Sequence, residues 1–159
     1  MVKIGLQISG TLENVAKLVA PQPDFTYFMK LQCASCQEVT DSWVAVSAAE
    51  QVAGRSGRNT VNFLSVCKFC HKEKVMNVLQ ETNTPYLKDD EDRFKTIIAF
   101  DCRGVEPVEF DFRDGWTVVS DGGREFTDVA IEDGEWVDFD EQLKASVGLY
   151  DMKSKFVKV

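Results

Sequence analysis

Residues 25–36 read Phe25-Thr26-Tyr27-Phe28-Met29-Lys30-Leu31-Gln32-Cys33-Ala34-Ser35-Cys36. In this stretch an apolar side chain occupies every second position from Phe25 to Cys33. That period is typical of a β-strand with one buried face and one solvated face. The strand runs directly into two cysteines that are separated by two residues. The sequence therefore predicts a strand that delivers a pair of thiols to one turn.

The same alternation recurs along the chain and predicts an almost entirely β fold. It is clear in residues 2–9, in Phe94, Thr96, Ile98 and Phe100, and in Val108, Phe110 and Phe112. Strands with one wet face favour antiparallel sheets, and 159 residues are enough for one domain. We therefore expect a mainly β, compact, antiparallel-rich sandwich or barrel-like single domain over residues 1–159. Shorter strands are predicted at 43–46, 61–66, 75–79, 126–131, 136–139 and 149–157.

Helix signals are few. Ser47 and Glu50 have the spacing of a capping box, and Gly54 would end the short helix that they begin. A second short helix is predicted at 140–145. Residues 54–59 read Gly54-Arg55-Ser56-Gly57-Arg58-Asn59, a composition that predicts a solvated surface loop. They lack the spacing of a phosphate-binding loop.

The two parts of the chain resemble each other. The pattern of residues 25–33 recurs at 94–102 with an offset of 69 residues, and 2–9 pairs with 75–81 in the same scheme. This repetition suggests two similar halves that arose by internal duplication. Thiol pairs occur only in the first half, at about 1–88, because the counterpart of Cys36 in the second half, at about 89–159, is Val105.

Four of the five cysteines form two pairs, Cys33-x2-Cys36 and Cys67-x2-Cys70. Two tight pairs in a reducing compartment are the signature of a four-thiolate zinc site. Four cysteines fill all four positions around the metal, and a closed site of this kind is structural rather than catalytic. We therefore predict one structural Zn²⁺ per chain, bound by Cys33, Cys36, Cys67 and Cys70.

Other thiol chemistry stays open at this point. A redox dithiol, an iron–sulfur cluster and a transferable Cu(I) or Zn(II) site all use paired cysteines. Cys102 ends an apolar strand and is predicted to be a buried, inert thiol. The ring of His71, the single histidine, is expected to point away from the metal. Lysines 68, 72 and 74 surround the second pair and would offset the charge of the thiolates.

The charge of the chain excludes several classes of partner. The formal net charge is −8, with +2 in residues 1–88 and −10 in residues 89–159. An acidic protein repels phosphate, so we do not expect nucleic acid or a membrane as a partner. The acidic half is either a solvated face or a docking surface for a basic protein. The start of the chain is not typical of a secretory signal, so we expect the protein in the cytoplasm or the nucleus. We also expect it to be a monomer.

Catalytic motifs are missing from the sequence. It contains no GxSxG, HExxH, Walker or GxGxxG arrangement, so we predict no catalytic residues. Trp43, Trp116 and Trp136 lie within strand-like runs and are expected in the core or on sheet faces.

Several blocks carry a resemblance to a known family. They are residues 11–14, the two cysteine pairs, residues 94–98, the block Cys102-Arg103-Gly104-Val105-Glu106-Pro107-Val108, and residues 126–128 and 146–150. On these blocks the chain resembles the eukaryotic CxxC-motif-containing zinc-binding proteins, nearly from end to end. The resemblance implies a mainly β protein with two similar halves, one zinc on Cys33, Cys36, Cys67 and Cys70, and no established enzyme activity. The Cys102 block predicts a strand end and a turn in which Arg103 and Glu106 can pair.

These observations favour a non-enzymatic, zinc-stabilised protein-interaction module. A metal-handling protein, meaning a metal chaperone or its partner, is the first alternative, because thiolate sites can exchange soft metals. A CxxC thiol redox protein is the second alternative.

Overall fold

Extended strands make up most of the computed structural model, which describes residues 2–54, 57 and 59–159. Two short 3₁₀ helices, Gln80–Thr82 and Lys88–Asp90, interrupt them. The strands of the described residues are β1 (Val2–Glu13), β2 (Val15–Val19), β3 (Thr26–Cys33), β4 (Val44–Ser47), β5 (Val52–Ala53), β6 (Thr60–Val61), β7 (Phe63–Val66), β8 (Glu73–Leu79), β9 (Tyr86–Leu87), β10 (Lys95–Arg103), β11 (Val105–Asp111), β12 (Arg113–Ser120), β13 (Glu125–Ile131), β14 (Trp136–Asp140) and β15 (Ala145–Lys158).

The largest sheet has six strands in the order β14-β15-β1-β10-β8-β7. It is antiparallel throughout and curls into a half-barrel. Smaller sheets have the orders β11-β3-β4, β13-β12-β2-β9 and β5-β6. The mainly β, antiparallel fold predicted from the alternation is confirmed.

Strands from the two sequence segments pair with each other in the three larger sheets. β1 lies between β10 and β15, β3 pairs with β11, and β2 pairs with β12. Residues 1–88 and 89–159 are therefore interleaved in space. The strands that match best in the proposed duplication are β3 and β10. Each has a buried cysteine at or near its end, but the two strands lie in different sheets. The duplication and the division into two halves stay predictions.

The core contains buried residues from both segments. Its centre is aromatic: Phe25 contacts Tyr27 and Trp116 edge-on, with ring centroids 4.7 and 4.6 Å apart. The indole nitrogen of Trp116 donates a 2.8 Å hydrogen bond to the carbonyl of Phe112, so the buried polar group has a partner. Trp136 is half-buried against the same core, and Trp43 is half-buried beside β4.

The alternation predicts the burial of β3 correctly but that of β10 and β11 only in part. Tyr27, Met29, Leu31 and Cys33 are all fully buried. β11 contains a bulge between Pro107 and Glu109, which turns Val108 to solvent. β10 buries residues 97–100 on both faces, and the exposed Phe94 precedes that strand.

Neither predicted helix, at 47–54 or at 140–145, forms. The residues at the start of the two predicted helices, Ser47 and Asp140, do accept backbone amides, but within turns. The Ser47 hydroxyl accepts the amide of Ala49, and the buried Asp140 carboxylate accepts the amides of Gln142 and Leu143. Residues 141–144 form the turn of the β14–β15 hairpin, and strand pairing on both sides prevents a helix from continuing.

Other local predictions have different outcomes. The alternation missed β2, β5, β9 and β12, of which two are only two residues long. Within the predicted surface loop at 54–59, Arg55, Ser56 and Arg58 lie outside the described residues. The described chain has no helix long and apolar enough to cross a membrane.

Candidate metal centre

Two turns bring the paired cysteines together. Cys33 is the last residue of β3, and Cys36 lies in the turn that follows it. Cys67 and Cys70 lie in the turn that joins β7 to β8. Because β3 and the β7–β8 hairpin belong to different sheets, the cluster connects two sheets that share no strand.

The four sulfur atoms form a compact cluster. The Cys33 and Cys70 sulfurs are 3.6 Å apart, as are those of Cys36 and Cys67, and all four lie within 4.8 Å of one another. A zinc ion with Zn–S bonds of about 2.3 Å needs sulfurs about 3.8 Å apart at the corners of a tetrahedron. All five cysteines are free thiols. The predicted ligand set therefore converges with spacings that fit a metal ion bound by four thiolates.

Both turns have the same hydrogen bonds. The Cys33 amide donates to the Glu38 carbonyl at 2.9 Å, and the Cys67 amide donates to the Lys72 carbonyl at 2.9 Å. In the opposite direction, the Gln37 amide donates to the Cys33 carbonyl at 3.0 Å, and the His71 amide donates to the Cys67 carbonyl at 2.9 Å. The two six-residue turns are thus equivalent loops, which present their cysteines in the same way.

The residue after each second cysteine has a left-handed backbone. The φ angle is 69° at Gln37 and 62° at His71. Glycine adopts this conformation without steric penalty, whereas other residues lose about 1–2 kcal/mol. His71 is exposed and is not part of the thiol cluster, so the expectation that it is not a ligand agrees with its position.

Backbone amides favour the thiolate form of the first cysteine in each pair. The amides of Cys70 and Phe69 donate to the Cys67 sulfur and lower its pKa to about 6, against the effect of burial. The equivalent amides of the first turn lower the pKa of Cys33. Hydrogen bonds to the charged form stabilise it, so these two sulfurs are prepared to act as metal ligands.

The second cysteine of the first pair behaves differently. The Glu38 amide lowers the pKa of Cys36, but burial and the three neighbouring sulfurs outweigh it and raise that pKa to about 12. Four adjacent sulfurs cannot all carry charge without a cation between them. Metal binding to this cluster is therefore coupled to the release of thiol protons.

The lysines around the second pair are not equivalent. Lys68 and Lys72 are exposed, whereas Lys74 in β8 is only 7% exposed. Cys102 is buried in the core, away from the cluster, and burial raises its pKa to about 12. Cys102 therefore has the environment expected for an inert thiol.

Sequence reasoning missed a residue, Gly104, that contacts both the first cysteine turn and the strand after the second one. Gly104, between β10 and β11, has a φ of 73° and accepts the Ala34 amide at 3.1 Å. It also packs against the backbone of Glu73 at the start of β8. The expected pairing of Arg103 with Glu106 is not formed: Arg103 pairs with Glu73 instead, at 3.2 Å, because β10 lies beside β8.

Comparison with known proteins identifies the family. The profile of a family described as CXXC motif containing zinc binding protein, eukaryotic, matches residues 5–157. The chain belongs to this family. Two relatives of the family illustrate the match. The UPF0587 protein CG4646 of Drosophila melanogaster is 44% identical and spans 100% of this chain and 99% of its own. The CXXC motif containing zinc binding protein of Homo sapiens is 36% identical over 99% of both chains.

Solved structures share the fold of this CXXC protein. The crystal structure of C1orf123 has a TM-score of 0.94 at 36% identity and covers 99% of both chains. A hypothetical protein from Plasmodium falciparum has a TM-score of 0.90 at 20% identity, covering 99% of this chain and 100% of its own, and it shows the fold alone. The zinc-binding family and the four-cysteine cluster agree with each other in indicating a metal site.

Proposed function

We propose that this protein is a non-enzymatic protein-interaction module whose fold is held by one structural Zn²⁺ on Cys33, Cys36, Cys67 and Cys70. The convergence of four sulfurs from two equivalent turns carries this proposal. With four thiolates bound, the metal has no open position for a substrate or an activating water. The ion would supply a cross-link between two sheets and a counter-charge for the thiolates.

The acidic side of the molecule supports an interaction role. Seven exposed carboxylates lie on β13, in the turn that links β13 to β14, on β14 and just after it; they are Glu125, Asp128, Glu132, Asp133, Glu135, Asp138 and Glu141. β13 and β14 are edge strands of their sheets, so this surface is not covered by a neighbouring strand of the described chain. We propose that it docks a basic region of another protein. Charged edges also oppose edge-to-edge self-association, which supports the proposal that the protein is a monomer.

The zinc content of the purified protein is the first test. We expect one zinc per chain after purification under reducing conditions, retained during dialysis against a moderate chelator. Removal by a strong chelator should lower the thermal stability and disorder the β7–β8 turn, since site formation is coupled to folding. A metal-free protein with an unchanged unfolding temperature would contradict a structural role.

Metal handling is the second candidate, because Cys36 and Cys70 are only half-buried. A solvent-accessible thiolate gives an incoming ligand a path to the ion. This alternative predicts that an apo metal-binding partner removes the ion within minutes, while the protein stays folded. Retention of the ion against such a partner favours the structural role.

The thiol redox alternative requires disulfide exchange within one CxxC pair. The two sulfur contacts of 3.6 Å instead join cysteines of different pairs. Resistance of the zinc-loaded protein to thiol-specific reagents would argue against redox chemistry.

A further inference from the structure

A groove separates two edge strands next to the metal centre. β4 ends the three-stranded sheet and β7 ends the six-stranded sheet, so each strand has a hydrogen-bonded neighbour on one side only among the described residues. Val44 of β4 and Ser65 and Val66 of β7 line the groove, and so does Cys67 of the thiol cluster. Unpaired N–H and C=O groups on an edge strand are a template for another strand.

The buried Lys74 faces this groove. It is 7% exposed, lies opposite Ser65 of the edge strand, and lines the groove. No hydrogen bond or ion pair joins its ammonium to any residue that the structure describes, sulfur atoms included. Only Gln22 and Asn83 have fully buried side-chain polar atoms without a partner among the described residues, so the Lys74 ammonium reaches the groove. There it offers a positive charge and hydrogen-bond donors to a group that carries negative charge.

The rim beside Lys74 is apolar. Phe69 is 68% exposed and Val66 is 51% exposed, and Val39, just after the first cysteine turn, lines the same groove. The other charged groups of the groove, Lys68 and the carboxylates of Glu38 and Asp41, are exposed to solvent. Their charges are screened more strongly than that of Lys74, which therefore dominates the floor of the groove.

We propose that this groove binds an extended acidic peptide segment of a partner protein, which adds a strand to β7. An acidic side chain of the peptide pairs with Lys74, and an apolar side chain two positions away packs on Phe69. Side chains two residues apart share one face of a strand, at a spacing of about 7 Å. An added strand lies about 10 Å from β8, a distance that a lysine and an acidic side chain span together.

This inference rests on the proposed interaction function, and it differs from the acidic surface of β13 and β14 in location and in the sign of the partner's charge. The test is selection of a phage-displayed library of randomised heptapeptides on the zinc-loaded protein. We expect enriched sequences to contain Asp or Glu two residues from an apolar residue. Titration of an enriched peptide should shift the NMR amide signals of residues 63–66.

Matched variants assign the binding to the groove. Lys74→Gln should weaken an enriched peptide about tenfold to a hundredfold, the range for a lost charge-assisted hydrogen bond. Phe69→Ser should also weaken it, whereas Lys72→Gln, which changes an exposed lysine of the same turn, should not. Zinc content and unfolding temperature are measured for each variant.

The possible outcomes distinguish a failure of the proposed peptide binding in the groove from a failure of the proposed zinc-dependent function. Selection of no such peptide, or binding that is unchanged in zinc-loaded Lys74→Gln, overturns the groove alone. Loss of zinc in Lys74→Gln would mean that Lys74 serves as a counter-charge for the thiolates, which also overturns it. Failure of the wild-type protein to hold zinc overturns the proposed function instead.

Discussion

Gly104 packs so closely against Glu73 that a β-carbon on Gly104 would lie 2.5 Å from the Glu73 carbonyl oxygen. The carbonyl of Gly104 accepts the amide of Ala34 on its other side. One glycine therefore contacts the first cysteine turn and the strand that follows the second turn. We expect its position to influence the distance between the two pairs of thiols, although it lies far from both in sequence.

Because of this contact, we expect Gly104→Ala to lower both the stability of the fold and its affinity for zinc. A side chain at this position requires both a left-handed backbone and a displacement of β8, so we expect a loss of about 2 kcal/mol or more in unfolding free energy. Zinc affinity should fall as well, because the two turns separate. Chelator competition and thermal unfolding measure the two effects.

Gly123→Ala is the matched control for that variant. Gly123 has a φ of 87°, but a β-carbon added to it would meet no atom within 4 Å. We expect a loss of about 1 kcal/mol and unchanged zinc affinity. Equal effects of the two substitutions would refute a special role for the Gly104 contact.

Removal of one ligand should abolish the centre. We expect Cys67→Ser to lose zinc and the native structure around both turns, because the remaining thiols cannot complete the coordination. Metal analysis and NMR spectra of the purified variant report the outcome. Cys102→Ala is the control: it should retain zinc and lose about 1 kcal/mol from a small core cavity. A folded, zinc-loaded Cys67→Ser protein would exclude Cys67 as an essential ligand.

The left-handed turn residues predict a stabilising substitution. Gln37→Gly should raise the unfolding temperature of the zinc-loaded protein by about 2–4 °C, because glycine removes a steric penalty of about 1 kcal/mol. Glu38→Gly is the comparison at the neighbouring position, which has no positive φ; there the added chain entropy should lower the temperature. Scanning calorimetry distinguishes the two. A decrease for both would show that the Gln37 side chain stabilises the turn.

The buried thiol of Cys102 is expected to resist alkylation while the protein is folded. Burial, with smaller effects of Asp101 and Glu106, raises the pKa of Cys102 to about 12, so almost no thiolate exists at about pH 8. We expect the zinc-loaded protein to resist iodoacetamide at that pH and to react at Cys102 only after unfolding in denaturant. Mass spectrometry of the alkylated protein identifies the site. Rapid labelling of Cys102 in the folded protein would show that its strand opens.

Local patterns were sufficient for much of the fold. Strand β3 was predicted with its buried face because alternation reports directly on a half-buried strand. The prediction was weaker for β10, which is buried on both faces, and for β11, where a one-residue bulge reverses the side chains. Ser47 and Asp140 do bind backbone amides as capping residues do, but pairing of the flanking strands decided that they close turns.

The sequence by itself determined the strand-rich fold and the four thiols, because strand period and CxxC spacing are local properties. The tertiary structure decided what depends on residues distant in sequence. It interleaved the two segments, brought Gly104 between the cysteine turns, paired Arg103 with Glu73, and left Lys74 without a partner among the described residues, in a groove between two sheet edges. These features depend on which strands pair and on which sheets meet, and no local pattern specifies either of these.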